Sequence, residues 1–170
     1  KNLVAIRPIE MSDKEAMAKL ANNRKVFINV RDAFPHPYTT TDAEKFINKV
    51  IENKKNHVFA IEYNGEYAGN IGLHQESDVY RKSAEIGYFI GEPFWNKGIT
   101  TRAVNLATEY AFNNLGIIRI HCGVFDFNYA SRRVLEKCGF EMEGRFKNAV
   151  IKCGNICDEI RYAKLKPLNK

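Results

Sequence analysis

Asn64-Gly65, set between two alternating apolar runs at residues 58–63 and 67–73, constrains this chain more than any other feature. A two-residue type I′ turn needs positive φ at both centres, and Asn-Gly meets that need with the least strain. The two runs are therefore joined as a hairpin, and the turn fixes their register. The segment 84–90 reads as the next strand, with Ile86, Tyr88 and Ile90 alternating onto one face. An antiparallel unit thus occupies the middle of the chain.

Helical periods lie on both sides of it. Residues 4–6 suit a short strand ended by Pro8, and Ser12 with Glu15 has the spacing of a capping box opening a helix on Met17, Leu20 and Ala21. Pro35 and Pro37 force their predecessors toward extended geometry, so the stretch around Phe34, His36 and Tyr38 is loop. Thr41 and Glu44 repeat the box before the stripe Ala43, Phe46, Ile47, Val50 and Ile51. Ala103, Leu106, Ala107, Tyr110, Ala111 and Leu115 form a further helix that Gly116 stops. A strand at 117–124 follows, then a helix capped by Asn128 that ends at Gly139, then a closing strand pair at about 141–144 and 156–165. The order β-α-α-β-β-β-α-β-α-β-β predicts an α/β (α+β) fold with a mixed, largely antiparallel central sheet flanked by helices.

With 170 residues and no repeat or linker, one domain over 1–170 is expected. Hydrophobic residues at 45% and charged residues at 27% exclude a disordered chain, and no apolar run approaches a membrane span. Lys1, Asn2 and Leu3 do not begin a signal peptide, and four cysteines are too few for a disulfide scaffold, so a cytoplasmic setting is expected. Cys153 and Cys157 have no second Cys/His pair near them in sequence, so no metal is expected. The +6 charge suits nucleic acid, an anionic surface, a polyphosphate ligand or plain solubility. No nucleic-acid motif or basic helix accompanies it, so neither nucleic acid nor a membrane is expected as partner.

Two segments carry chemistry. In Tyr88-Phe89-Ile90 through Trp95-Asn96-Lys97-Gly98-Ile99-Thr100-Thr101-Arg102, a strand ends, Gly98 makes a tight turn and a helix begins. Free amides at such a helix start, with its dipole, form a phosphate cradle, although an ordinary glycine turn has the same pattern. Lys97 and Arg102 add charge nearby, and the pattern is neither Walker A nor Gly-x-Gly-x-x-Gly. In the second segment Asn128 caps a helix or offers its amide to a ligand, and Ser131 lies within the first turn.

Together the segments resemble the GNAT acetyltransferase superfamily, specifically its ribosomal-protein alanine N-acetyltransferase-like branch. Ile6-Arg7-Pro8, Phe34-Pro35-His36-Pro37-Tyr38-Thr39, Asp42-Ala43-Glu44, Glu85-Ile86-Gly87-Tyr88 and Glu136-Lys137-Cys138-Gly139-Phe140 extend the resemblance over the chain. It implies acetyl-CoA lying where two central strands splay apart, as acetyl donor to a primary amine, either a protein N-terminal α-amine or a small molecule. Tyr88, Phe89 and Ile90 would pair with the pantetheine arm. The amides of Trp95, Asn96, Lys97, Gly98, Ile99, Thr100 and Thr101 would hold the pyrophosphate, with Asn128, Ser131 and Lys137 completing the cofactor site. Thr100 departs from the small residue usual in the loop.

The resemblance implies Ser131, which matches the serine of this branch, as proton donor to the departing thiolate; Leu135 stands where many other members carry a tyrosine. Val150 stands where relatives carry a glutamate, which leaves Glu85 as the best general base; an amine that binds neutral needs none. Phe34, Tyr38 and Tyr88 would line the acceptor end. A non-catalytic acetyl-CoA sensor is the alternative, and the chain is expected as a monomer or homodimer.

Overall fold

The computed structural model describes residues 3–53 and 55–167. In chain order its elements are β1 (Val4–Pro8), α1 (Lys14–Ala21), α2 (Arg24–Phe27), α3 (Thr40–Glu52), β2 (Asn56–Tyr63), β3 (Glu66–Gln75), β4 (Ser83–Ile90), α4 (Ile99–Asn114), β5 (Arg119–Phe125), α5 (Tyr129–Lys137), β6 (Glu141–Lys152) and β7 (Asn155–Leu165). One seven-stranded sheet has the order β1-β2-β3-β4-β5-β7-β6. Only β4 and β5 run parallel; the other neighbours are antiparallel. The hairpin forms as its sequence requires, with Asn64 at φ 51°, Gly65 at φ 87° and Tyr63 opposite Glu66.

Each sheet face carries its own core. Ile86 and Ile90 of β4, with Ile120, Cys122 and Val124 of β5, pack beneath Ile99, Ala103, Val104 and Ala107 of α4 and Leu135 of α5. On the opposite face Phe89 joins Met17 and Ala21 of α1 and Ala43 and Ile47 of α3. Period-2 alternation in β4 feeds both layers.

The structure corrects several local expectations. Both capping boxes lie upstream of the expected pairs: Glu10 with Asp13, and Thr39 with Asp42. Thr39 has extended backbone (φ −108°, ψ 167°), as a cap requires, whereas Thr41 is already helical. The short α2, capped by Asn23, was not expected. Ile51 of the expected stripe is 56% exposed. The closing hairpin is longer than expected, because β6 continues to Lys152 through irregularities at Met142/Gly144 and Phe146/Val150 that break its alternation. Val150 therefore lies within β6, opposite Cys157, and not in a loop.

Arg7 anchors the first turn, donating to both Asp13 carboxylate oxygens at 2.8 and 2.9 Å. Burial pushes the Asp13 carboxyl up, but the bonds from Arg7 and the Glu10 amide outweigh it and hold the pKa below its ordinary value. A depressed folded pKa gives stability that is present above about pH 4 and lost as pH falls through the folded value. Asp13→Asn should therefore cost about 2 kcal/mol at pH 7, or about 4–8 °C in Tm. Melting curves against pH should show that gap closing below about pH 4; a gap constant with pH would contradict the ion-pair account.

Candidate active site

β4 and β5 are paired only at their starts, from Ser83↔Arg119 to Glu85↔His121. Past that point β4 continues to Ile90 and β5 to Phe125 without pairing to each other. One backbone edge of residues 86–90 is thereby left open, facing a wedge-shaped gap in the middle of the sheet. Such an edge can take an extended, amide-bearing ligand as an added strand.

The open end of the wedge meets the start of α4. Asn96 (φ 60°) and Gly98 (φ 71°) are both left-handed, which turns the chain sharply into the helix. A Cβ on Gly98 would meet nothing within 4 Å, so the conformation and not the space calls for glycine. The first bond into the helix is Arg102 N–H to Gly98 C=O at 3.2 Å. The amides of Ile99, Thr100 and Thr101 precede it, no side chain caps them, and no acid lies in the first turn among the described residues. The Trp95 indole N–H donates to Ile90 C=O at 2.8 Å, tying the loop to the end of β4. This arrangement fits a diphosphate attached to an extended arm. Lys97 instead reaches over the rings of Tyr63 and Phe94, at 5.9 and 5.8 Å, and Lys137 is exposed at the end of α5.

α5 faces β4 across the same gap. The Asn128 Oδ1 accepts from Ser131 N–H at 3.2 Å, which places Ser131 in the first turn and leaves the Asn128 amide N–H pair for another acceptor. Ser131 Oγ lies 2.7 Å from Tyr88 Oη, joining α5 to the open part of β4. Sequence reasoning named both residues but had no means of showing that they touch. The Cys138 thiol contacts Thr101 C=O at 3.4 Å, locking the end of α5 onto the first turn of α4. Leu135 is fully buried and serves packing.

On the opposite face Glu85 pairs with Arg31 at 2.7 Å, an ion pair with a guanidinium from the loop after α2. Phe34 packs edge-on to Phe89 at 5.3 Å and tilts against Tyr38 at 4.9 Å. Tyr38 is only 7% exposed, and its hydroxyl meets the Met17 sulfur at 3.8 Å, so it supports Phe34 from within the core. Burial raises its pKa to about 12. Two features were not anticipated. His121 Nε2 lies 2.8 Å from Glu76, and its Nδ1 accepts from Arg161, which also bonds Glu159. At the tip of β6, buried Lys152 reaches Asp32 at 2.7 Å and lies 3.7 Å over the Phe27 ring, bringing the β6–β7 turn against the loop after α2. Among the described residues no cluster of His, Cys, Asp and Glu is placed to hold a metal, and no helix is long and apolar enough to cross a membrane.

A family model described as "Acetyltransferase (GNAT) domain" matches residues 4–141. A spermidine N(1)-acetyltransferase of Escherichia coli (strain K12) is 30% identical over 159 residues, covering 93% of this chain and 83% of that protein. A putative ribosomal N-acetyltransferase of Bacillus subtilis (strain 168) is 38% identical over 104 residues, covering 61% of this chain and 56% of that protein. Among solved structures, a spermidine N-acetyltransferase from Vibrio cholerae in complex with CoA and spermine superposes with a TM-score of 0.82 at 26% identity, over 95% of each chain.

Proposed function

The chain belongs to the GNAT acetyltransferase family, and from that premise we propose that it transfers acetyl from acetyl-CoA directly to a primary amine in a ternary complex. The observation that carries this reading is the β4–β5 gap, which has the uncapped start of α4 at one end and the Tyr88–Ser131 contact across it. The free edge of Tyr88, Phe89 and Ile90 holds the pantetheine amides. The loop from Trp95 to Thr101 takes the pyrophosphate, the Asn128 N–H pair bonds the arm, and Lys137 adds positive charge near the nucleotide end.

The amine enters from the Phe34 side. Its lone pair forms the C–N bond, the C–S bond breaks, and Ser131 supplies a proton to the departing sulfur. A main-chain N–H of the open strand stabilises the oxyanion. Glu85, kept in place by Arg31, attracts the ammonium and takes its proton through water. The acceptor is a protein N-terminal α-amine or a polyamine-like small amine; both present an accessible primary nitrogen at the end of a chain that can lie along the outer face.

Free thiol and acetylated product, measured with acetyl-CoA and either spermidine or a short peptide with a free N-terminus, test this reading. Turnover with one of them is expected, and the preferred one identifies the class. Tight acetyl-CoA binding without turnover on either would favour a sensor.

A further inference from the structure

We propose that Tyr88 is a positioning residue for Ser131: its phenol O–H donates to Ser131 Oγ across the gap, turning the only proton of the serine toward the thioester sulfur. The inference rests on the reading of Ser131 as proton donor. A serine hydroxyl has one hydrogen, and the 2.7 Å contact with Tyr88 uses one hydrogen from either partner. If Ser131 donated to Tyr88, it would have nothing left for the sulfur. If Tyr88 donates, the hydrogen of Ser131 is free and the oxygen lone pair is occupied.

The surroundings favour the second arrangement. A phenol O–H is intrinsically a stronger hydrogen-bond donor than an aliphatic O–H. The Tyr88 ring is partly buried in the gap near Cys122 and Cys138, and burial pushes the phenol pKa above the ordinary value, so it stays protonated at neutral pH. The Ser131 backbone is fixed by Asn128 and the Tyr88 backbone by pairing with Ile71 of β3, so both oxygens are held by rigid elements. A hydroxyl that accepts one hydrogen bond becomes a stronger donor of the next. In the transfer step the sulfur gains the Ser131 proton as the C–S bond breaks, and the new amide nitrogen releases one to solvent. Ser131 recovers its proton from solvent, and Tyr88 keeps its own throughout, so it positions the donor without titrating.

The test is a double-mutant cycle on the full chain, using whichever of spermidine or the short peptide gives turnover. Tyr88→Phe keeps the ring and removes the hydroxyl. It should lower kcat about tenfold with KM for acetyl-CoA changed by less than about twofold. In the Ser131→Ala background the same change should alter kcat by less than about twofold, because its target is gone. A tenfold loss that persists in that background would assign Tyr88 to packing and overturn the proposal. An unchanged Tyr88→Phe beside an impaired Ser131→Ala would overturn it while leaving Ser131 as proton donor. An unchanged Ser131→Ala, or a wild type inactive on both amines, would remove the reading on which it rests.

Discussion

Ser131→Ala is expected to lower kcat about 100-fold while leaving KM for acetyl-CoA within about twofold of the wild type. The hydroxyl meets β4 across the gap through its 2.7 Å contact with Tyr88. In the proposed transfer its work is confined to the moment when charge develops on sulfur. Removing it withdraws an interaction made in the transition state and not in the ground state, which is the pattern that lowers kcat alone. The Ser131 amide, not its hydroxyl, bonds the cap Asn128, so Ala preserves the helix start. Single-turnover rates with saturating acetyl-CoA measure this directly. An equal rise in KM and unchanged kcat would make Ser131 a binding residue.

Gly98→Val is expected to raise KM for acetyl-CoA at least tenfold with little change in the fold. At φ 71° a β-branched residue is strained by roughly 1–2 kcal/mol, and relief comes by rotating the turn. That rotation swings the amides of Ile99, Thr100 and Thr101 away from their common focus. Gly98→Asn, which tolerates the left-handed region, should recover most of the affinity. Titration of acetyl-CoA against both variants tests this. Equal binding by Gly98→Val would remove the α4 start from the cofactor site, since a side chain at 98 meets no protein atom within 4 Å.

Much of the scaffold was legible because local chemistry decided it. Asn64-Gly65 permits one turn, Gly116 stops α4, and the alternation of Ile86, Tyr88 and Ile90 marks one face of β4. The glycine turn into α4 was legible for the same reason, since Gly98 takes a backbone conformation that other residues resist. What sequence reasoning missed was decided at long range. The Ser12 and Thr41 boxes had correct spacing, but Arg7 recruits Asp13, and the end of the proline loop makes Thr39 the cap. β6 was cut short because its irregularities interrupt the alternation used to recognise it. Arg31 meets Glu85 and Lys152 meets Asp32 only because the sheet brings distant segments together. The +6 is explained only in part: Lys97 stacks over aromatic rings, and Arg132 bonds Tyr162 and the Asp126 carbonyl. Part of the positive charge in the two segments, at Lys97 and Arg132, is thus engaged with the protein itself.

The central claim is direct transfer from a donor lying in the β4–β5 gap to an amine entering from the other face. Initial rates of thiol release over a matrix of acetyl-CoA and amine concentrations test it most directly. The account predicts intersecting reciprocal plots, one acetylated amine formed per thiol released, and no thiol burst without amine. Parallel plots with an amine-independent burst would reveal an acetylated enzyme and contradict the ternary complex.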